Sequence, residues 1–410
     1  MKSHSLAEED RRGLPLLPFM RVWPMPLMRQ LLLLLLMLAG CTLIALWPFR
    51  QAMAATFPVN NATGLKDAVQ QSNTLGGSHT IILAPGTYHL TEQLIVESSI
   101  TFIGDGGNAE GDPLTTVINA GGSNRAFDIN PNLDMPGYNV KFQALTIQNG
   151  YVSPSADYGG GAVAADTGTS TIEFYNTVIR NNTASGLFGG GLYVSGETGG
   201  KLVLQRTAIE NNSVNGDGGG LYIEGDFDVT IVDSEFIGNS AGNGVGGAIV
   251  NMPVSKTGFI SIRNSTFAEN EAGKGGAILL HSAAELHNST ISGNRASTDG
   301  GGIWLDLNGH SFTATNATIA RNQVDSGDGG GIHINTGDAV LHNTIVAENN
   351  RGSSAPNDIS GTVNSASQHN LIGIGGSGGL ANGVNGNIVG VGHAGLMPLG
   401  DYGGHTRTHA

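Results

Sequence analysis

The chain has 410 residues and a formal net charge of −14, with 64 glycines and only 13% charged residues. This negative charge makes nucleic acid and anionic membrane surfaces poor partners. Because Cys41 is the only cysteine and lies near the N-terminus, the sequence also excludes a disulfide framework.

Residues 1–54 are predicted to be an export leader. Basic residues precede a 17-residue apolar run over 31–47, and the Ala-Met-Ala sequence of residues 52–54 predicts cleavage after Ala54. Two alternatives stay open. Residues 38–41 resemble a bacterial lipoprotein box, which would lead to lipidation of Cys41, and the apolar run is just long enough for an uncleaved membrane anchor.

Residues 55–79 are predicted to form an N-terminal cap around a short amphipathic helix over 63–73, whose apolar face carries Leu65, Ala68 and Val69. The short strand-like segments that follow predict one coil of chain over 80–105. A looser second coil is predicted over 115–150, with a surface loop near 130–138. The cap would cover the open end of these coils.

A four-residue pattern then repeats seven times between residues 159 and 350. Two glycines are followed by glycine or alanine and then by an aliphatic residue, which recurs every 25 to 29 residues. A fixed period of this length predicts a solenoid, in which each repeat packs on its neighbours. The aliphatic residues are Val163, Leu192, Leu221, Ile249, Ile278, Ile303 and Ile332.

A second pattern, a large apolar residue followed three positions later by asparagine, stays in phase with the first. Between the patterns lie short segments rich in Val, Ile, Thr and aromatic residues, about three per repeat. The predicted fold is therefore an all-β, right-handed parallel β-helix with three sheets and about ten coils, over residues 80–390. The asparagines are predicted to stack in a ladder: Asn182, Asn212, Asn239, Asn270, Asn294, Asn322 and Asn349.

The residue after each aliphatic one is predicted to face outward in an apolar, partly aromatic row. Exposed apolar rows often mark contact sites, and aromatic side chains suit sugars or peptides. The alternative is that neighbouring side chains only stack and stiffen the sheet. The row begins with Ala164 and continues with the candidate ligand-binding residues Tyr193, Tyr222, Val250, Leu279, Trp304 and His333.

Three aspartates each precede a glycine triplet at one corner of the predicted coil. Because stacked carboxylates repel one another unless a cation lies between them, Asp217, Asp299 and Asp328 are candidates for Ca²⁺ ligands. The alternative is that they are solvated turn residues. No other cofactor and no catalytic residue is predicted, since no pair of carboxylates suited to glycoside hydrolysis falls in one phase of the repeat.

The repeats resemble those of known proteins. Residues 246–249 (GGAI) and 267–270 (FAEN) look like the GGAI and FxxN repeats of chlamydial polymorphic outer-membrane proteins. The looser turns resemble bacterial right-handed β-helix proteins with the pectate-lyase-like fold. Residues 391–410 are predicted to be a tail, which from residue 398 (PLGDYGGHTRTHA) resembles the end of surface proteins with varied anchors, cut off after the alanine.

These resemblances imply an exported protein of the bacterial cell surface or extracellular space. We expect a non-catalytic, adhesin-like or glycan-binding protein, whose partner is a polysaccharide or a molecule on a host or neighbouring cell. Membrane contact is expected only through the leader or an anchor. Because the fold also hosts polysaccharide lyases and glycoside hydrolases, an enzyme is the first alternative. A structural surface component without a ligand is the second.

Overall fold

The computed structural model describes residues 54–130, 137–154, 158–166, 170–186, 188–255 and 258–410. Cys41, nearly all of the predicted leader and most of the loop predicted near 130–138 lie outside these ranges. The described chain forms a parallel β-solenoid of about nine turns. The predicted all-β parallel β-helix is therefore confirmed, with about one turn fewer than expected.

One α-helix, Ala62–Leu75, lies at the N-terminal end of the described residues, and it includes residues 63–73, for which the sequence predicted a helix. The side chain of Asn61 caps this helix by accepting a hydrogen bond of 2.8 Å from the N–H of Gly64. Leu65, Ala68 and Val69 are buried in the main core, so the predicted apolar face is confirmed. Two short 3-10 turns cover Asp105–Gly107 and Val384–Gly386.

Each complete turn of the solenoid contributes a strand to each of three parallel sheets, which we number in the order that the chain follows after a glycine pair. The strands confined to the first sheet are Leu94–Val96, Phe127–Ile129, Val163–Asp166, Ile249–Met252, Ile278–Leu280 and Ile359–Ser360. Those confined to the second sheet are Thr56–Val59, Ser78–Leu83, Ser99–Ile103, Phe259–Arg263 and Ala283–His287.

The third sheet has the most strands, and it continues beyond the predicted repeats to residue 391. Its own strands are Gly86–His89, Thr116–Asn119, Ala208–Glu210, Glu235–Ile237, Thr266–Ala268, Thr290–Ser292, Thr318–Ala320, Ile345–Ala347, Leu371–Gly373 and Ile388–Val391. The glycine-rich stretch after residue 373 therefore supplies a final rung of the third sheet.

Six long strands bend at a corner and belong to two sheets. Four join the first and second sheets: Leu192–Gln205, Leu221–Val232, Ile303–Thr315 and Ile332–His342. Two join the second and third sheets: Val140–Gln148 and Thr171–Arg180. Short corner strands follow the third sheet: Tyr151–Val152, Thr183–Ala184, Ser213–Val214, Glu271–Ala272, Arg295–Ala296, Gln323–Val324, Asn350–Arg351 and Ala355–Pro356.

The aliphatic residues of the repeat form one interior column. They are direct partners in successive parallel strands, from Val163 with Leu192 to Ile303 with Ile332. None of the seven is more than 2% exposed. Phenylalanines stack in the same way, and the rings of Phe142 and Phe174 are 5.0 Å apart, close to the spacing between neighbouring strands.

The glycine pairs turn the chain into the first sheet, and each member has a separate reason to be glycine. The first has φ between 59° and 81°, a left-handed conformation that strains other residues. The second lies against the next turn: a Cβ on Gly247 would be 2.2 Å from the carbonyl oxygen of Gly276. The repeated pair therefore follows from backbone conformation and from the close spacing of the turns.

The predicted asparagine ladder is confirmed. Each of the seven side chains is buried, and its Nδ2 donates to Oδ1 of the next across 2.8–3.0 Å. That Oδ1 also accepts a backbone N–H, as Asn270 does from Asn239 at 2.9 Å. Asn349 ends the ladder on the carboxylate of Asp358, at 2.9 Å. The turns from Asn182 to Asp358 are thus linked to one another through the interior.

Candidate functional site

The predicted outward row lies in register on the first sheet, but its predicted exposure is wrong. Ala164, Tyr193, Tyr222, Val250 and Leu279 are buried, and only Trp304 and His333 are half-exposed. The covering side chains come from the segments that precede the glycine pairs: Tyr158, Phe188 and Val245.

Aromatic rings make this row a packed layer. The rings of Tyr193 and Tyr222 are stacked 6.0 Å apart, and Phe188 lies 4.4 Å from Tyr222. Burial raises the pKa of both tyrosine hydroxyls, and the Tyr193 hydroxyl donates to the carboxylate of Glu224. These contacts match the alternative in which neighbouring side chains stiffen the sheet, whereas ligand binding by this row stays a prediction.

The three corner aspartates are each engaged by protein groups. Asp217 accepts the N–H of Val245 at 2.9 Å. Asp299 accepts the N–H of Asp328 at 3.1 Å, and Asp328 pairs with Arg351. In the described ranges, no group of three or more His, Cys, Asp or Glu is placed to hold a metal ion. Ca²⁺ binding at this corner stays a prediction.

Two neighbouring clefts lie around Tyr151, at the place where the row of corner strands begins. One has a volume of about 440 Å³ and the other of about 330 Å³. The first is lined by Asn119, Gly121, Gly122, Asn149, Gly150, Tyr151, Asn181 and Thr183. The second is lined by Gln93, Ser123, Asn124, Arg125, Asp128, Tyr151, Val152, Ser153 and Tyr158. Tyr151 therefore separates two polar depressions.

A charged pair forms the floor of the second cleft. Arg125 donates to Asp128 at 2.7 Å, and both side chains are about nine-tenths buried or more. The guanidinium lies 4.6 Å from the centre of the Tyr158 ring and also donates to the carbonyl of Gly159 at 2.8 Å. The Tyr158 hydroxyl donates to Asp128, and burial raises its pKa. This network fixes the segment that enters the first glycine pair.

The sequence prediction missed these clefts. They arise because the turn at residues 120–124 has no corner strand, so Tyr151–Val152 is the outermost strand of a three-stranded corner sheet. A signal was present in the sequence: Arg125 and Asp128 put opposite charges three residues apart where the turns are otherwise apolar. Buried charges of this kind require a partner.

Comparison with protein families gives one match. Residues 288–306 match the Chlamydia polymorphic membrane protein repeat. This stretch contains Ile291 and Asn294 of the second sequence pattern and residues 300–303 of the first. The predicted resemblance of the repeats is therefore confirmed. No curated protein shows a significant match to the chain.

Several solved structures are similar to the chain. A mannuronic acid specific polysaccharide family 6 lyase from human gut microbiota has 11% identity and a TM-score of 0.34, over 83% of this chain and 92% of the other. A pectin methylesterase from Aspergillus niger has 15% identity and a TM-score of 0.33, over 80% of this chain and 94% of the other. The family PL6 alginate lyase AlyGC has 12% identity and a TM-score of 0.33, over 86% of this chain and 55% of the other.

The chain is a parallel β-solenoid protein whose repeats are similar to the Chlamydia polymorphic membrane protein repeat. A search of the described residues for membrane-spanning helices found no helix of sufficient length and apolar character.

Proposed function

We propose that this chain is an exported, non-catalytic β-solenoid of the cell surface or extracellular space, which binds glycans as an adhesin-like module. The observation that supports this best is the pair of polar clefts around Tyr151. Backbone contacts join the turns that line them, as between Tyr151 and Asn124 at 2.9 Å and between Tyr151 and Thr183 in the corner sheet, so the lining residues are held in place before a ligand arrives.

The lining suits the hydroxyl groups of a neutral sugar. Asn149 and Asn181 offer amides that can donate and accept hydrogen bonds, and Asn119 offers its Nδ2, because its Oδ1 already accepts from Gly121 and Asn149. Tyr151 adds an aromatic ring between the two clefts, and pockets of this kind combine such a surface with a few polar groups. Arg125 is neutralised by Asp128, and the chain is negatively charged overall. Both facts favour a neutral glycan over an acidic one.

The contacts of Asp128 support binding without catalysis. A general base or nucleophile needs an oxygen lone pair directed at the substrate. In Asp128, Oδ2 accepts from Arg125 and Tyr158, and Oδ1 lies 3.2 Å from the same tyrosine hydroxyl. Removing these partners to free the carboxylate would expose a buried charge, which is costly.

The surface location has separate support. The matched repeat is one described for a membrane protein of Chlamydia. The predicted leader would direct export, with cleavage after Ala54, lipidation of Cys41 or retention as an anchor as the three routes to the surface.

The glycan proposal is tested by substituting Tyr151 with alanine and measuring binding to a glycan array. We expect the wild type to bind neutral oligosaccharides and Tyr151→Ala to bind them about tenfold more weakly, which corresponds to about 1.4 kcal/mol. Tyr402→Ala is the matched control, because Tyr402 is a 48% exposed tyrosine outside the clefts. Equal binding by wild type and Tyr151→Ala would place any glycan site elsewhere, and no binding by wild type would favour a ligand-free structural role.

A second assay separates binding from chemistry. The purified protein is incubated with a polysaccharide panel, with and without Ca²⁺, and the products are examined for unsaturated ends and new reducing ends. We expect neither to form. Product formation that is lost in an Asp128→Asn variant would assign the second cleft to a lyase or hydrolase and overturn the non-catalytic proposal.

A further inference from the structure

Residues 393–410, which we call the C-terminal strap, lie folded against the outer side of the third sheet. The strap is a hairpin: the backbones of Gly400 and Thr408 exchange two hydrogen bonds of 2.9 Å, and Met397 donates to the carbonyl of Ala410 at 3.0 Å. The sequence predicted a tail over 391–410 and gave it no contact with the solenoid. The structure therefore adds a segment that returns to the solenoid wall.

The strongest anchor of the strap is Arg407. Its backbone N–H donates to Glu235 at 2.8 Å, and its guanidinium reaches both carboxylate oxygens of Glu235 at 3.3 Å. The hydroxyl of Thr266, one rung further, donates to the carbonyl of Arg407. Glu235 and Thr266 thus contact both the main chain and the side chain of Arg407, as in sites that select arginine.

The following residues continue along the sheet. The hydroxyls of Thr408 and Thr290 are 3.1 Å apart, and Nε2 of His409 lies 2.8 Å from the hydroxyl of Ser292. The start of the strap is held by two further side chains. Arg321 donates to the carbonyl of Leu396 at 2.7 Å, and Glu348 accepts the N–H of Ala394 at 3.1 Å. The contacts extend over five consecutive rungs of the third sheet, from Glu235 to Glu348.

The sheet is shaped for this segment. At the third position of each rung, the outward residues before the strap are long: Gln148, Arg180 and Glu210. Ile237 follows on the rung of Glu235, and from the next rung onward the same column becomes small: Ala268, Ser292, Ala320 and Ala347. These four outward side chains are at most 4% exposed, although they point away from the interior. The change in side-chain size leaves a shallow groove.

We propose that the outer side of the third sheet, from Glu235 to Glu348, is a peptide-binding groove that selects an extended segment with the sequence Arg-Thr-His, and that residues 393–410 occupy it in cis. Glu235 selects the arginine, and Ser292 selects the imidazole. The small column lets the peptide backbone come close. Because the occupant is held by hydrogen bonds and one partly exposed ion pair, the same segment supplied in trans can replace it.

The test uses the full chain and a fluorescent synthetic peptide of residues 393–410. In the wild type the tethered strap competes at high effective concentration, so we expect weak binding of the peptide. In Arg407→Ala the strap loses its main anchor. We expect this variant to bind the peptide at least about tenfold more tightly than wild type does. Hydrogen exchange of the strap amides should also become faster.

Two controls make the outcome decisive. Arg295→Ala removes an arginine whose ion pairs, with Glu271 and Asp325, lie away from the strap, and it should bind the peptide as weakly as wild type. Adding Glu235→Gln to Arg407→Ala should abolish peptide binding. His409→Asn replaces Arg407→Ala if the latter does not fold. If the loosened variants do not bind the peptide, or if Glu235→Gln leaves binding unchanged, the groove is not a peptide site.

Discussion

At the scale of single residues, the buried asparagines are the most constrained positions of the chain. Asn270 shows why. Its Oδ1 accepts two hydrogen bonds from Asn239, and its Nδ2 donates to the carbonyl of Phe236 and to Asn294. Any residue without an amide would leave several buried groups unpaired in both neighbouring turns, and each such group costs about 1–3 kcal/mol.

We therefore expect Asn270→Ala to lower the free energy of unfolding by about 3 kcal/mol or more. Urea unfolding followed by circular dichroism measures this change. Asn335→Ala is the matched control, because Asn335 is exposed and surface substitutions change stability by about 0.5 kcal/mol or less. A loss below about 1 kcal/mol for Asn270→Ala would show that water or rearranged side chains replace the ladder.

The residue scale also shows what sequence could not reveal. The phase of the asparagines predicted their ladder, because a position that repeats in phase stacks on itself. The same reasoning placed Tyr193 and Tyr222 in one outward row but gave them the wrong exposure. Their cover comes from Tyr158, Phe188 and Val245, which stand before the glycine pairs in segments of varying length. Burial by such segments leaves no periodic trace in the sequence.

At the scale of elements, the strap is the part of the fold that sequence predicted least. Its contacts join residues up to 172 positions apart, as between Arg407 and Glu235. Helix Ala62–Leu75, by contrast, depends on its own apolar spacing and its Asn61 cap, both of which are local. Local signals were therefore sufficient for the helix, whereas the strap depends on the complementarity of two distant segments.

The strap should loosen in acid, because His409 is docked in its neutral form. Its Nδ1 donates to the carbonyl of Met397 at 2.7 Å, and Nε2 accepts from the hydroxyl of Ser292. Burial lowers the pKa of His409 from 6.5, and nearby Arg321 acts in the same direction. The undocked strap therefore binds a proton more readily, so docking is strongest above pH 6.5 and weakens as the pH falls below it.

Hydrogen exchange at pH 7.5 and pH 5.5, corrected for intrinsic rates, measures this effect. The strap amides should lose protection at pH 5.5. Hydrogen bonds from His393 and Arg321 lower the pKa of Glu348 despite its burial, so this carboxylate keeps its charge over the range. His409→Asn should remove the pH dependence, whereas His393→Gln should retain it. Equal protection of the wild-type strap at both pH values would contradict the role of His409.

At the scale of the whole solenoid, each turn contacts mainly the turns before and after it. This arrangement explains why the repeat alone predicted the fold. The repeat period, the glycine pair and the ladder asparagine all follow from the packing of equivalent positions in successive turns against one another. The clefts around Tyr151 escaped prediction because they depend on a rung that the corner sheet lacks. The periodic sequence pattern predicts the regular turns, so it cannot predict a candidate site that forms where the regularity is interrupted.

Stacking also predicts how the solenoid opens. An end turn loses one interface when it unfolds, whereas a central turn loses two, so stability should fall from the middle toward the ends. Amides of the central strand Leu221–Val232 should exchange at least about tenfold more slowly than those of Thr56–Val59 and Ile388–Val391, a difference of about 1.4 kcal/mol. The helix lies at the N-terminal end and slows fraying there. The strap covers the rungs from Glu235 to Glu348, so Arg407→Ala should speed exchange on these rungs and leave Thr56–Val59 unchanged. Uniform protection along the solenoid would instead show that all turns open in a single cooperative step.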